Sequence, residues 1–198
     1  VIGVFSGVLA ALKRNTALDF IPMAIAMIGI CVPTFLMGPL LVLIFGINLE
    51  LLPVSGWNQI PGDKILPSLT LGFAYAAYIA RLSRGGMLEV LNHDFIRTAR
   101  AKGLSEKKVV LKHALRNSLI PLITVFANVF PAAVGGSVII EVIFSIQGMG
   151  LESYNAILNY DYPMIMAIFT ISGALTVLGY LVADILYSVV DPRISIKK

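Results

Sequence analysis

Charged residues are scarce in this chain. Asp, Glu, Lys and Arg make up 13% of its 198 residues, whereas 58% of the residues are hydrophobic and the mean hydropathy is +0.88. Soluble globular domains carry about 25% charged and roughly 45–50% apolar residues. The composition therefore excludes an ordinary soluble protein and predicts one whose solvent is the lipid bilayer.

Residues for redox, metal and hydrolytic chemistry are also sparse. Cys31 is the only cysteine, so no internal disulfide can form. The two histidines, His93 and His113, do not belong to a His-Glu-x-x-His motif, and there is no Gly-x-Ser-x-Gly elbow or Gly-x-x-x-x-Gly-Lys-Ser/Thr phosphate loop. We therefore expect that the chain is not an enzyme, binds no metal or cofactor, and leaves the use of ATP to another protein.

Long stretches without charge predict the membrane spans. Residues 21–46 and 119–140 contain no charged residue, and residues 164–190 contain only Asp184. A bilayer core of about 30 Å requires roughly 20 apolar residues in a helix. Each of the three stretches is therefore predicted to cross the membrane.

Two weaker apolar segments complete the predicted topology. Residues 65–82 are shorter and more polar, and the alternation of sides makes them a fourth span. Residues 1–11 are apolar but too few to cross. We interpret them as a partial span, and the sequence as a C-terminal piece of a longer protein.

Basic residues lie on one side of this topology. Every Lys and Arg except Lys64 falls before the first complete span, between residues 81 and 118, or after the last span. Cytoplasmic segments of membrane proteins are enriched in Lys and Arg, so these segments are predicted to face the cytoplasm. The net charge of +4 then reflects topology rather than nucleic-acid binding. The predicted fold is an all-α, polytopic membrane helical bundle.

The loop 83–118 between two predicted spans is polar but regularly patterned. Apolar residues over 84–102, Phe95 and Ala99 among them, recur every three or four positions, which predicts one face of a helix. The same spacing predicts a second helix over 106–117. Two amphipathic helices are therefore expected on the cytoplasmic side.

A defined corner is predicted between these helices. Gly103 suits the left-handed position just beyond a helix end. Ser105 is a suitable N-cap for the next helix, and Glu106 places an anion in its first turn. The sequence therefore predicts a rigid helix, turn and helix.

Three functions fit a basic helical pair of this kind. Its cations could only fix the topology and contact lipid phosphates, the pair could bind DNA, or it could dock on a cytoplasmic protein. Both ends are held at the membrane within a few residues, which keeps a DNA duplex away. A loop that supplies only charge needs no defined corner, so docking is favoured.

Two stretches of the loop carry a family resemblance. The run Arg97-Thr-Ala-Arg-Ala-Lys-Gly-Leu-Ser105 and the run His113-Ala-Leu-Arg-Asn-Ser-Leu-Ile-Pro121 resemble the coupling-loop signature of binding-protein-dependent ABC importer permeases. The general signature begins Glu-Ala-Ala, whereas this chain has Arg97-Thr98-Ala99 followed by Gly103. That departure is typical of the oligopeptide and dipeptide permease branch.

Other short motifs resemble the same branch, in the expected order along nearly the whole chain. They are Leu12-Lys-Arg-Asn-Thr16, Gly135-Gly-Ser137, Glu141-Val-Ile-Phe144, Gly148-Met-Gly150, Asp161-Tyr-Pro163 and Asp191-Pro-Arg193.

The resemblance implies a multi-pass subunit of a type I ABC importer in a bacterial or archaeal inner membrane. It would form half of a translocation path for oligopeptides or dipeptides, together with a second homologous permease, separate ABC ATPase subunits and an extracytoplasmic solute-binding protein. The resemblance assigns contact with the ATPase to matching residues of the loop. They are Arg97, Thr98, Ala99, Arg100, Lys102, Gly103, Leu104, Ser105, His113, Arg116, Asn117 and Pro121.

Two alternatives stay open. A secondary transporter or channel subunit would also be all-helical with basic inner loops, although it should carry ion-coupling or selectivity residues at the membrane midplane. The transported solute is also open, because the same branch includes importers of nickel and other small solutes.

Overall fold

The computed structural model describes residues 1–190, and within them it contains helices and no β-strand. The predicted all-α fold is therefore confirmed. The helices are α1 (Ile2–Leu12), α2 (Ala17–Cys31), α3 (Thr34–Asn48), α4 (Ile65–Leu91), α5 (Asp94–Ala101), α6 (Glu106–Ser118), α7 (Ile120–Val134), α8 (Val138–Ile143), α9 (Met149–Leu158) and α10 (Tyr162–Val190). The Asp191-Pro192-Arg193 motif and the basic residues after it lie outside the described residues.

The described chain divides into two compact units. Unit 1 comprises residues 1–29, 75–127 and 180–190, and unit 2 comprises residues 30–74 and 128–179. Each unit has its own buried apolar cluster. The largest cluster of unit 1 is formed by Ala11, Met87, Val90, Ile96, Ala99, Val109, Val110 and Ala114, and the cluster of unit 2 by Leu66, Ile140 and Phe144.

Two described helices, Ile65–Leu91 and Tyr162–Val189, are each long and apolar enough to cross a membrane. Two bent pairs, α2 with α3 and α6 with α7, would bring the number of crossings to four if each pair is one span. Ile2–Leu12 is apolar but short. Helices of this length and apolarity are typical of a membrane protein.

The predicted span 21–46 contains two helices rather than one. α2 ends at Cys31, α3 begins at Thr34, and the chain bends by 109° between them. Pro33 has φ −60° and ψ 145° and lacks an N–H group, and a residue that precedes proline is disfavoured in the helical region. The proline therefore ends one helix, and its carbonyl oxygen accepts the N–H groups of Leu36 and Met37 in the next.

The predicted span 119–140 also ends early. α7 stops at Val134, Gly136 takes a left-handed φ of +86°, and α8 begins at Val138. Consecutive glycines favour such a break because they lack the Cβ that penalises positive φ.

The predicted helix over 84–102 is interrupted once. α4 continues to Leu91, His93 is extended with φ −71° and ψ 149°, and α5 starts at Asp94. Asn92 and Asp94 favour helix ends because their short polar side chains compete for backbone hydrogen bonds. The break shifts the helical register, so Ile96 rather than Phe95 faces the core: Ile96 is 0% exposed and Phe95 is 41% exposed.

A buried carboxylate, Glu141, holds the segments around it in unit 2. Its oxygens accept the backbone N–H groups of Ser137 at 3.2 Å, Gly150 at 3.3 Å and Leu151 at 2.6 Å. Glu141 is 6% exposed. These donors lie at the start of α8 and of α9, where helix N–H groups have no partner within the helix. The two motifs that surround Glu141 in the sequence therefore meet at its side chain.

A second buried carboxylate, Asp63, organises the loop 49–64 between α3 and α4. Its Oδ2 accepts the N–H groups of Gln59 at 2.7 Å and Ile60 at 3.1 Å. The N–H of Ile60 is the main cause that holds the pKa of Asp63 below its ordinary value of 3.8, and burial acts in the opposite direction. The ionised carboxylate is thus the form that this loop stabilises.

We expect this loop to keep its conformation on acidification from pH 7 to about pH 4, and to loosen only below that. A carboxylate with a lowered folded pKa stabilises the fold above its unfolded pKa, and this contribution is lost as the pH falls through the folded value. Trp57 is the only tryptophan in the chain, and Lys64 Nζ lies 5.4 Å from its ring centre. Its fluorescence therefore reports the change.

The variant Asp63→Asn should show the loosened spectrum already at pH 7. The control is Glu50→Gln, which alters an exposed carboxylate in the same loop and should leave the spectrum unchanged. A transition above about pH 5 that depends on Asp63 would contradict the lowered pKa.

Candidate functional site

The corner between α5 and α6 is a Schellman motif. Gly103 has φ +75°, its N–H donates to the carbonyl of Arg100 at 2.9 Å, and the N–H of Leu104 donates to the carbonyl of Ala99 at 3.4 Å. These two bonds satisfy carbonyls that the end of a helix leaves unpaired. The predicted left-handed conformation of Gly103 is therefore confirmed, and backbone hydrogen bonds fix the corner.

The second helix begins at the predicted position but is capped differently. Ser105 occupies the N-cap with φ −60° and ψ 144°, and its carbonyl accepts the N–H groups of Lys108 at 2.8 Å and Val109 at 3.0 Å. Its side chain makes no capping hydrogen bond. The helix runs on to Ser118 and includes a π-helical stretch, Val109–Ala114.

An ion pair closes the corner from the outside. Arg100 donates from Nη2 to Glu106 Oε1 at 2.6 Å and from Nε to Oε2 at 3.1 Å. The Glu106 carboxylate raises the pKa of Arg100, which stays positive. Both side chains are substantially exposed, so the pair contributes at most about 1 kcal/mol to stability. Its effect is to restrain the angle between the two helices.

The buried face of the corner belongs to the core of unit 1. Val109, Val110 and Ala114 of α6 pack in the same cluster as Ile96 and Ala99 of α5. The apolar side predicted for the second helix is thus confirmed, with Lys107, Lys108 and Lys112 exposed on the other side. The inner face of the corner is therefore part of the buried core.

The predicted contact residues near the corner divide into two groups. Ala99 is 6% exposed, so its side chain packs in the core and supports the corner. It does not form part of the surface that a partner protein could contact. The remaining members of the run are exposed, and they are Arg97, Thr98, Arg100, Lys102, Gly103, Leu104 and Ser105. Together they present cations and one apolar side chain on a rigid turn.

The second predicted group lies along α6 and at the start of α7. His113 is half-buried, and Arg116, Asn117 and Pro121 are exposed. Arg116 Nη2 donates to the carbonyl of Val189 at 2.8 Å, and Asn117 Nδ2 donates to the carbonyl of His113 at 3.3 Å. The side chains of Arg116 and Asn117 therefore make contacts within unit 1.

The sequence pattern did not predict that two apolar side chains of this region are exposed. Phe95 is 41% exposed and stands edge-on to the ring of His93, with 5.6 Å between ring centres. Leu111 is 54% exposed. The polar run Asn92-His93-Asp94 was the signal that could have placed Phe95 outside, because it marks the break that shifts the register. Exposed apolar residues beside cations are typical of a protein contact surface.

No three His, Cys, Asp or Glu side chains in residues 1–190 are grouped so that they could hold a metal ion.

The chain is similar to known proteins over nearly its whole length. Residues 3–196 match the family described as binding-protein-dependent transport system inner membrane component. The chain is 47% identical over 195 residues to the oligopeptide transport system permease protein OppB of Haemophilus influenzae, an alignment that covers 98% of this chain and 64% of that protein.

Two further relatives are similar over the same region. Identity is 45% over 195 residues with OppB of Escherichia coli K12, covering 98% of this chain and 64% of that protein. It is 42% over 196 residues with the dipeptide transport system permease protein DppB of Bacillus subtilis, covering 99% and 63%. The chain therefore spans a little less than two thirds of the length of these relatives.

Proposed function

We propose, because this chain belongs to the family of binding-protein-dependent transport system inner membrane components, that it is a transmembrane subunit of an ATP-driven importer of oligopeptides or dipeptides. Its relatives are named as oligopeptide and dipeptide transport permeases. The subunit would form half of the translocation path beside a second, homologous permease. A solute-binding protein on the outer side would deliver the peptide.

The observation that carries this proposal is the rigid, exposed corner at Gly103. Backbone hydrogen bonds define its conformation, and its inner face is packed in the core of unit 1. Its outer face carries the cations Arg97 and Lys102, with Leu104 at 36% exposure. A surface of this kind suits a cleft on a cytoplasmic ATPase that combines acidic and apolar groups.

Coupling through this corner would work as a lever. Helices resist bending because each N–H is bonded to the carbonyl four residues before it, so closure of an ATPase pair on the corner would displace α5 and α6 as a unit. Reversing an equilibrium between inward-open and outward-open states from 1:99 to 99:1 requires about 5.5 kcal/mol of differential binding. The corner must therefore stay attached to the ATPase in both states.

As a permease subunit, the chain would leave the hydrolysis of ATP to another subunit. The chain has no phosphate-binding loop in its sequence. In this proposal the chain forms part of the translocation path and receives mechanical force at the corner. The ATPase supplies that force. Selection of the solute would depend largely on the separate binding protein.

Purification from membranes with its neighbouring subunits tests the proposal. We expect the full-length chain to copurify with an ATPase and a second permease, and proteoliposomes of the assembly to take up labelled trialanine or dialanine only with ATP and binding protein. The matched control replaces ATP with a non-hydrolysable analogue. Uptake by the chain alone, driven by an ion gradient, would instead identify a secondary transporter.

A further inference from the structure

A buried ion pair joins two elements of unit 1 that are far apart in the sequence. Arg84 of α4 donates from Nε to Asp19 Oδ1 at 2.5 Å and from Nη2 to Oδ2 at 2.7 Å. Oδ2 also accepts the backbone N–H of Asn15 at 3.0 Å. Asp19 is 1% exposed. The carboxylate is therefore fully engaged and links the start of α2 and the turn before it to α4.

A close helix contact supports the same connection. Gly3 and Gly7 of α1 are buried, and a Cβ on either would collide with a backbone carbonyl of α4, that of Ala76 for Gly3 and that of Ala80 for Gly7. Glycines four residues apart allow two helices to approach to backbone contact. α1 and this part of α4 are thus packed without intervening side chains.

Arg84 also lies next to the core that holds the candidate corner. Met87, one turn beyond Arg84 on α4, is 0% exposed and belongs to the same cluster as Ile96 and Ala99 of α5. Ala11 of α1 belongs to that cluster as well. A displacement of α5 is therefore transmitted directly to the part of α4 that Asp19 holds.

We propose that Asp19 and Arg84 are positioning residues for energy coupling, and that they make α1, the start of α2 and the cytoplasmic end of α4 move as one body with the corner. This inference rests on the proposed function. Planar bidentate geometry suits the task, because two parallel hydrogen bonds fix both distance and orientation. Without the pair, α4 could shift with the corner while α2 stays behind.

Two variants separate a role in coupling from a role in stability alone. If the pair only stabilised the fold, a variant that recovers stability would also recover coupling. Arg84→Gln leaves the Asp19 carboxylate buried without its cation, which is strongly destabilising. The double variant Asp19→Asn with Arg84→Gln removes both charges and should recover most of that stability. It does not restore the bidentate link, because the side chain of glutamine is shorter than that of arginine.

The readout is the number of trialanine molecules taken up per ATP hydrolysed, in proteoliposomes of the complete assembly with binding protein. We expect both variants to keep the ATPase attached and to lower this ratio by about tenfold, within the usual range of coupling energies. Thermal stability in detergent should fall in the single variant and recover in the double. Arg81→Gln is the control, since Arg81 is exposed on the same helix and forms no ion pair within residues 1–190. It should keep the parental ratio.

A double variant with the parental ratio would overturn the inference, as would loss of the ATPase from the purified single variant. If the double variant does not fold, Arg84→Lys decides, because it keeps the charge but not the paired bonds: a parental ratio again overturns the inference. Absence of ATP-dependent uptake by the parental assembly is a separate result. It rejects the proposed function, and the inference with it.

Discussion

Replacement of Gly103 by valine should uncouple ATP hydrolysis from peptide uptake while the chain still inserts into the membrane. Gly103 has φ +75°, and a β-branched residue is a severe outlier at positive φ. A side chain at this position would meet no neighbouring atom within 4 Å, so the effect acts through the backbone alone. The left-handed conformation costs an L-residue about 1–2 kcal/mol. The Schellman bonds then give way, and the corner loses its shape.

We expect uptake of trialanine to fall by about tenfold or more, with ATP hydrolysis retained and the amount of inserted protein unchanged. Gly103→Pro should act in the same way, because proline cannot adopt positive φ and has no N–H to donate to Arg100. Gly103→Asn is the matched control, since asparagine tolerates the left-handed region. Parental uptake by the valine variant would show that the corner does not carry the force.

Truncation of Glu141 to alanine should destabilise the protein more than any surface substitution. Three backbone N–H groups, those of Ser137, Gly150 and Leu151, would lose their acceptor at a site where the carboxylate is 6% exposed. Each buried donor left without a partner costs about 1–3 kcal/mol. At the lower value, the three donors together cost about 3 kcal/mol, and a chain of this size loses about 2–4 °C per kcal/mol. The apparent melting temperature in detergent should therefore fall by about 6–12 °C.

Two controls make this result specific. Glu152→Ala removes an exposed carboxylate from the first turn of α9 and should change the melting temperature little. Glu141→Gln keeps one acceptor oxygen but turns an NH₂ group toward N–H donors, so its effect should lie between those of Glu141→Ala and Glu152→Ala. Equal melting temperatures for Glu141→Ala and Glu152→Ala would mean that the three hydrogen bonds contribute nothing.

Features set by local chemistry could be predicted from the sequence. The left-handed Gly103, the start of a helix after Ser105 and the buried side of that helix follow from residue type and spacing alone. They depend on φ preferences, capping preferences and helical period, which act over a few residues. The membrane environment followed from composition for a similar reason, because it is a property of the whole chain.

Features set by helix breaks or by distant contacts could not be predicted in the same way. The pattern around Phe95 was interpreted as one continuous helix, and the break at His93 turned this side chain outward. Pro33 bends the chain by 109° within a stretch that looked like one span. Glu141 and the pair of Asp19 with Arg84 are buried by partners that no local pattern reveals. Arg84, for example, was assigned to topology with the other basic residues between 81 and 118, although it also pairs with the buried Asp19.

Site-directed crosslinking tests the central claim most directly. Replacement of Cys31, the only cysteine among these 198 residues, and of any cysteine in the rest of the full-length chain gives a background without cysteine. A single cysteine can then be placed at the corner, as Leu104→Cys, or in α9, which the predicted topology puts on the opposite side of the membrane, as Glu152→Cys. In the intact assembly, we expect a short bifunctional reagent to join position 104 to the ATPase and position 152 to no ATPase. Absence of any crosslink from position 104 to an ATPase, or labelling of that position from outside sealed cells, would contradict the assignment of the corner as the place where force enters.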